Sequence, residues 1–261
     1  MTENTNSKFP SEADVVIVGV GGIVGSMIAY WLSELGQKNI VGLEKSSVIP
    51  SDIASTAHAS DFVYNTTHDK LGCWTTAYSR KFYEDNGFFL KKGGLEICRK
   101  GDDARWEELK RKVGSGKAFG TNVRLISASE AKEKFPLLDE ESLMGAMWDP
   151  DAGLVIPRSQ DVVSFAVESA KDKGALKTFT DTPAIDFEVE NGRVTGVKTD
   201  KGFIKTDKVV ICSGIWGPLM GKKAGVPVPL MPLEHPLLFF GPLPEAQVAE
   251  DFLVYPLLRD Q

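Results

Sequence analysis

The stretch from residue 13 to residue 45 constrains the fold of this chain more than any other part of its sequence. An apolar strand, Val15–Val18, is followed at once by a glycine-rich turn over residues 19–25. Apolar residues then recur at intervals of three and four, which predicts a helix whose apolar face packs on a sheet. That face comprises Val24, Met27, Ile28, Trp31, Leu32 and Leu35. Gly36 is placed to end the helix with a left-handed cap.

A second strand, Ile40–Leu43, follows the helix and ends at Glu44, which lies 19 residues after Gly25. Glycines let a backbone turn tightly and approach a pyrophosphate, and a helix N-terminus offers its free N–H groups to phosphate. An acidic residue at this distance accepts ribose hydroxyls and disfavours the 2′-phosphate of NADP. The stretch therefore predicts a dinucleotide site. The alternative is a turn that packs a helix on a sheet and binds no ligand.

Composition and charge exclude several classes of protein. The net charge of −6 argues against a nucleic-acid-binding surface, and the basic run at residues 110–112 is predicted to be a solvated helix face. The three cysteines lack the spacing of a disulfide scaffold or a zinc site, which suits a reducing compartment. The N-terminus lacks the apolar region of a secretory signal. Four prolines interrupt residues 226–240, so we expect no membrane span there.

Later segments predict an alternation of helices and strands. Helices are expected over residues 70–86 and 158–173, and Asn191-Gly192 is a strong hairpin signal between two strands. The residues of the second helix that are expected to face inwards are Val162, Val163, Ala166, Val167 and Ala170. A further apolar strand, Val209–Ile211, runs into the small residues Ser213-Gly214. This backbone could approach the same dinucleotide from its other side. The arrangement fits a flavoprotein better than a simple NAD dehydrogenase, which would continue to alternate strands and helices.

Several segments, in order along nearly the whole chain, carry a family resemblance. The chain resembles the FAD-dependent D-amino-acid-oxidase superfamily, and within it the dimethylglycine and sarcosine dehydrogenase (oxidase) branch. The matching segments are the glycine turn with Glu44, Ser55-Thr56-Ala57-His58-Ala59, Gly93-Gly94-Leu95-Glu96, Phe135-Pro136-Leu137-Leu138, Asp151-Ala152-Gly153-Leu154, Cys212-Ser213-Gly214-Ile215-Trp216-Gly217 and Pro232-Leu233-Glu234-His235.

The resemblance implies an α/β (α+β) fold. A Rossmann-type FAD-binding domain of the glutathione-reductase kind, with a β-meander, is interrupted by a substrate domain built on a mixed sheet. We expect a disordered tail at residues 1–11, an FAD domain from residues 12–70 and 150–220, and an incomplete substrate domain from residues 71–149 and 221–261. The chain stops in what reads as a strand over residues 252–258, so we expect it to be a fragment.

The resemblance also implies a reaction, namely oxidation of an N-methyl amine such as dimethylglycine or sarcosine, with hydride passing from the methyl carbon to flavin N5. Tetrahydrofolate, bound by a further C-terminal domain, is a possible acceptor of the product. The expected compartment is the cytoplasm, or the mitochondrial matrix in a eukaryote. Two alternatives stay open. One is a sister flavoenzyme that acts on an amino acid or glycerol phosphate, and the other is a non-catalytic FAD-binding subunit.

Site residues follow from the same segments. Histidine in the position of His58 is covalently linked to the flavin in relatives, although it could instead line the cofactor or lie in solvent. His235 is the expected catalytic residue, and the competing interpretation is a core histidine bonded to a backbone carbonyl. The expected FAD-binding residues are Gly19, Gly21, Gly22, Ile23, Val24, Gly25, Glu44, Lys45, Ser55, Thr56, His58, Ala59, Pro183, Ala184, Ser213, Gly214 and Trp216.

Two positions depart from the family pattern. The glycines at 19, 21, 22 and 25 form a turn one residue longer than usual. Asp61 stands where the flavin-linking segment of relatives usually has glycine.

Overall fold

The computed structural model describes residues 9–234, 236, 238, 244 and 255–260. The strands are β1 (Val15–Val18), β2 (Ile40–Leu43), β3 (Phe62–Val63), β4 (Phe89–Lys91), β5 (Gly94–Arg99), β6 (Arg124–Ile126), β7 (Leu143–Asp149), β8 (Gly153–Val155), β9 (Leu176–Phe179), β10 (Ala184–Glu190), β11 (Arg193–Thr199), β12 (Gly202–Lys205), β13 (Val209–Ile211) and β14 (Leu257–Arg259). The α-helices are α1 (Ile23–Glu34), α2 (Lys70–Asp85), α3 (Asp103–Ala118), α4 (Ala128–Lys134), α5 (Ser159–Asp172) and α6 (Gly217–Lys223).

The chain divides into two compact units. One is drawn from Met1–Ala59 and Arg158–Leu237, and the other from Ser60–Pro157 and Leu238–Gln261. The chain therefore passes from one unit to the other after residues 59, 157 and 237. The division expected from the sequence placed these junctions after residues 70, 149 and 220.

The first unit is layered around a parallel sheet with strand order β13-β1-β2-β9. Val15 and Ile17 of β1 pack towards α5, whereas Val16 and Val18 pack towards the antiparallel meander β10-β11-β12. Both faces of β1 are thus covered, which explains its unbroken apolar run. The pairing of β13 with β1, Val18 opposite Ile211, confirms that the second apolar strand returns to the glycine turn.

The second unit contains a mixed sheet of order β14-β5-β7-β6, in which β14 runs parallel to β5 and the other pairs are antiparallel. A small antiparallel sheet, β3-β8-β4, completes it. The expectation of an α/β architecture that combines a Rossmann-type unit, a meander and a mixed sheet is therefore confirmed.

Elements with strong local signals form as the sequence predicts. Helix α5 buries all five of the apolar residues expected to face inwards, Val162, Val163, Ala166, Val167 and Ala170. The hairpin residues Asn191 and Gly192 have φ of 51° and 76°, the left-handed pair that a tight two-residue turn requires. Gly36 has φ of 88°, as expected of a helix cap.

The predicted orientation of α1 is wrong. The helix buries Gly25, Ser26, Ala29 and Ser33, while Leu35 is 82% exposed, Val24 61% and Trp31 38%. Ile28 and Leu32 are half-buried at the edge of the core. Small side chains allow the helix axis to approach the sheet and α5 closely, so packing distance decides the orientation rather than the number of apolar residues.

The basic run at residues 110–112 is not wholly a solvated face. Lys112 is buried and its Nζ lies 2.5 Å from Glu96 Oε1, while Arg105 Nη2 lies 3.0 Å from Glu96 Oε2. Glu96 itself is fully buried in β5. A buried carboxylate between two buried cations ties α3 to the mixed sheet, because none of the three charges could stay buried without a partner.

Both ends of the chain lie partly outside the described residues. Phe9 packs on Phe179 with ring centroids 5.2 Å apart, and Ser11 O accepts a hydrogen bond from Lys205 N. Residues 9–11, the described part of the expected disordered tail, are therefore ordered. At the other end β14 covers the last two residues of the expected strand, Leu257 and Leu258, whereas residues 252–254 lie outside the described part of the chain.

The orientation of α1 can be tested with two leucine truncations. Leu35→Ala should change the free energy of unfolding by less than ~0.5 kcal/mol, because this side chain is exposed. Leu43→Ala, in the fully buried strand β2 of the same unit, should cost ~2–5 kcal/mol. Urea denaturation followed by circular dichroism measures both. Equal losses for the two variants would mean that the Leu35 face of α1 is buried after all.

Candidate dinucleotide-binding site

The glycine turn connects β1 to α1 and needs glycine for reasons internal to the chain. Gly19 has φ of 93°, and a Cβ there would lie 2.5 Å from Cys212 O. A Cβ on Gly25 would lie 2.1 Å from Gly19 O. Both distances are far below a real contact, so a side chain at either position would disrupt the turn. The packing alone thus accounts for these two glycines.

Val20 lies within the longer turn. Its side chain is fully buried and covers Gly42 of β2, where an added Cβ would lie 2.9 Å from Val20 Cβ. The N–H groups of Gly19 and Val20 both donate to Leu43 O. The missing side chain at Gly42 thus makes room for the longer turn.

The N-terminus of α1 presents backbone donors. Gly22 is the N-cap residue, and no side chain caps it. Ile23 N–H donates to Thr56 Oγ1 at 3.0 Å. Within the part of the chain that the structure describes, the N–H groups of Gly22 and Val24 have no hydrogen-bond acceptor. Unpaired N–H groups at the positive end of a 12-residue helix form an anion-binding position.

Glu44, at the end of β2, is 5% exposed and closes the turn from the other side. Its Oε2 accepts Gly21 N–H at 2.9 Å. Its Oε1 accepts Ser46 N–H at 2.9 Å and the Ser51 hydroxyl at 3.2 Å. The spacing of Glu44 from Gly25 predicted that it lies beside the turn, as it does, but the spacing did not predict Ser46 or Ser51. No spacing rule applies to these serines. The one sequence feature that points to them is that their loop is rich in hydroxyl side chains.

The segment with His58 forms a short 3₁₀ helix, Ser55–His58. Thr56 is anchored to α1 through the bond to Ile23 N–H, and it carries the rest of the segment to the same helix terminus. Ser55 and His58 are exposed, and Ala59 is half-buried. The structure thus brings the predicted segment to the glycine turn.

Asp61 keeps the backbone conformation that glycine favours. Its φ is 61°, in the left-handed region, and its carbonyl accepts a hydrogen bond from Val155 N–H. Aspartate is one of the few residues that adopt this region readily. The departure from glycine at this position therefore preserves the path of the chain.

The end of β13 forms the opposite wall. Ser213 Cα would be 3.3 Å from a Cβ on Gly19, so it adjoins the turn. The Ser213 hydroxyl oxygen is buried and has no hydrogen-bond partner among the described residues. Gly214 has φ of 50°, and no atom lies within 4 Å of where its Cβ would be. Burial raises the pKa of the adjoining Cys212 thiol, which disfavours a reactive thiolate there.

Further predicted residues lie beside Glu44. Lys45 is exposed, and its Nζ is 4.6 Å from the centroid of the half-buried Trp216 ring, within cation–π range. Pro183 and Ala184 are half-buried and follow Thr182, whose N–H donates to Glu44 O. The structure therefore brings together all the predicted binding residues. The predicted catalytic residue, His235, lies outside the described residues.

The arrangement suits the binding of a polar, anionic ligand. It offers unpaired N–H groups for an anion and a carboxylate for hydroxyl groups. On the opposite side of the turn it offers a buried hydroxyl that has no partner among the described residues. In the residues that the structure describes, no helix is both long and apolar enough to cross a bilayer.

Comparisons with known proteins agree with this geometry. Residues 14–260 match the family model described as "FAD dependent oxidoreductase" (DAO). The chain is 29% identical over 253 residues to mitochondrial sarcosine dehydrogenase of Homo sapiens, covering 90% of this chain and 26% of that protein. It is 31% identical over 236 residues to the mitochondrial pyruvate dehydrogenase phosphatase regulatory subunit of Mus musculus, covering 87% and 26%.

A solved structure shows the same architecture. L-proline dehydrogenase from P. horikoshii superimposes with a TM-score of 0.80 at 27% identity, covering 97% of this chain and 65% of that one. The chain spans about a quarter of the length of the two curated relatives named above, sarcosine dehydrogenase and the phosphatase regulatory subunit. Because the family model covers almost the whole chain, this chain belongs to the family of FAD-dependent oxidoreductases.

Proposed function

We propose that this chain is the FAD-binding part of an oxidoreductase that demethylates an N-methyl amine such as sarcosine or dimethylglycine. The observation that carries the proposal is the family match over residues 14–260. The names of two relatives, sarcosine dehydrogenase and L-proline dehydrogenase, support the substrate class. Sarcosine and proline are both secondary amines with a carboxylate on the neighbouring carbon.

The residues at the glycine turn fit FAD. The unpaired N–H groups of Gly22 and Val24 would hold the pyrophosphate, and Glu44 would accept the adenosine ribose. The buried Ser213 hydroxyl supports a polar ligand at this position, since a buried polar group without a partner is costly. The other residues proposed to line the cofactor are Gly19, Gly21, Ile23, Gly25, Lys45, Ser55, Thr56, His58, Ala59, Pro183, Ala184, Gly214 and Trp216.

FAD, when bound, supplies a two-electron acceptor for the hydride of the substrate methyl carbon. An amine releases hydride only when its nitrogen lone pair is free, so the protein must favour the neutral amine over the ammonium ion. We assign this task to His235, whose imidazole can accept the proton near neutral pH. The assignment rests on the sequence position of His235 after Pro232-Leu233-Glu234.

A second candidate function is a non-catalytic FAD-binding subunit. The match to a regulatory subunit, at 31% identity, favours it specifically. A sister flavoenzyme that acts on another amino acid or on glycerol phosphate is a third. Tetrahydrofolate as a partner and a cytoplasmic or mitochondrial-matrix location remain predictions, as does the absence of nucleic-acid binding.

Reduction of the bound flavin separates these candidates. Under anaerobic conditions, sarcosine or dimethylglycine should bleach the flavin absorbance of the FAD-loaded protein, whereas glycerol 3-phosphate should not. His235→Ala should slow this reduction by ~10²–10⁴-fold and leave FAD bound, because only proton transfer is lost. Stopped-flow spectroscopy measures the rate. A flavin that stays oxidised with both amines would exclude the demethylase and leave the sister flavoenzyme and the binding subunit. An unchanged reduction rate in His235→Ala would exclude His235 from the chemistry.

Gly214 tests the contact with the cofactor. Gly214→Asn should weaken FAD binding by about tenfold or more, since an added side chain at a close-packed contact costs ~1–3 kcal/mol. The melting temperature should change little, because asparagine tolerates the left-handed conformation. Gly36→Asn is the matched control, with φ of 88° and equally open space. Equal FAD affinity in both variants would remove Gly214 from the proposed site.

His58 is proposed to carry the flavin covalently, on the strength of its position in the Ser55–His58 segment. After acid precipitation of the FAD-loaded protein, the yellow colour should stay in the pellet. His58→Ala should release it to the supernatant. Complete release from the unmodified protein would show that the flavin is bound without a covalent link.

A further inference from the structure

Ser51 joins the glycine turn to the carboxylate of Glu44. It is 2% exposed, and its hydroxyl donates to Glu44 Oε1 at 3.2 Å. Its own N–H donates to Gly21 O at 2.9 Å, and Gly21 N–H donates in turn to Glu44 Oε2 at 2.9 Å. These three bonds close a ring through three separate parts of the chain, so the carboxylate cannot rotate without breaking at least one of them.

The two oxygens of Glu44 are not equally occupied. Each carboxylate oxygen has about two acceptor positions. Oε1 receives both Ser46 N–H and the Ser51 hydroxyl and is therefore full. Oε2 receives Gly21 N–H alone and keeps one acceptor position.

We propose that Ser51 is a positioning residue for cofactor binding, because it occupies Oε1 of Glu44 and leaves Oε2 to accept a single ribose hydroxyl. The inference rests on the proposed function, in which the adenosine half of FAD binds at Glu44. Ser51 itself does not touch the cofactor. It acts by fixing which oxygen of the carboxylate is available.

The neighbouring serine cannot serve in the same way. The Ser46 hydroxyl donates to Asp52 Oδ1 at 2.5 Å and accepts Val48 N–H at 3.3 Å. Ser46 reaches Glu44 only through its backbone N–H, which every residue except proline provides. The Ser51 hydroxyl is therefore the side-chain group that occupies Oε1 of Glu44.

Nucleotide analogues separate positioning from general stability. By isothermal titration, Ser51→Ala should weaken binding of ADP and FAD about five- to tenfold, the usual effect of one lost ordinary hydrogen bond. It should not weaken binding of 2′,3′-dideoxyadenosine diphosphate, which has no hydroxyl for Glu44 to accept. Ser33→Ala is the matched control, since Ser33 is also a buried serine of this unit and donates to Tyr30 O. It should leave all three affinities unchanged.

The unmodified chain provides a second test that does not depend on how the variant folds. One of 2′-deoxy-ADP and 3′-deoxy-ADP should bind as ADP does, and the other should bind about five- to tenfold more weakly. Equal losses for both analogues would overturn the inference, as would a loss in Ser51→Ala that persists with the dideoxy analogue. If the unmodified chain binds neither ADP nor FAD, the proposed cofactor site itself fails.

Discussion

The hydrogen bond from Gly21 N–H to the Glu44 carboxylate is the interaction on which the first unit of this protein depends. It joins the turn after β1 to the end of β2, and it holds the N-terminus of α1 at the edge where β13 also ends. Without it, the buried N–H of Gly21 would lack a partner and the Oε2 atom of a buried carboxylate would lose its donor, which costs ~1–3 kcal/mol for each unpaired group. The same bond places the acid beside the free donors of the helix.

The tight turn that this hydrogen bond closes explains why the neighbouring residues are small. Gly19 and Gly25 cannot carry side chains because carbonyl oxygens of the chain occupy the space. Gly42 lacks one because Val20 covers it. A turn longer than the usual pattern is thus compatible with the same strand–helix–strand unit. The length of a glycine motif is a weaker guide to function than the acid and the helix terminus that it connects.

Prediction from the sequence succeeded wherever a local pattern was compatible with only one structure. The hairpin at Asn191-Gly192 and the buried face of α5 formed as expected, since turn chemistry and helical periodicity decide them locally. The buried face of α1 was predicted wrongly because periodicity reveals an apolar stripe but not what covers it. Lys112 was misjudged because its partner, Glu96, is distant in sequence.

The candidate site also contains residues that the sequence predicted and residues that it could not predict. Spacing predicted Glu44, the returning apolar strand predicted Ser213, and the family resemblance predicted the segment around His58. The hydrogen-bond partners of Glu44 could not be predicted, because Ser51 lies in a loop whose path depends on the turn itself. The substrate class still rests on the named relatives and on His235.

Direct titration of the purified chain with FAD tests the central claim, which is that the turn and Glu44 form a site for the adenosine half of the cofactor. The unmodified chain should quench flavin fluorescence saturably. Glu44→Ala should weaken that binding by ~1–3 kcal/mol through the loss of a charge-assisted hydrogen bond. Failure of the folded chain to take up FAD would contradict this claim, as would folded Glu44→Ala that binds FAD as tightly as the unmodified chain.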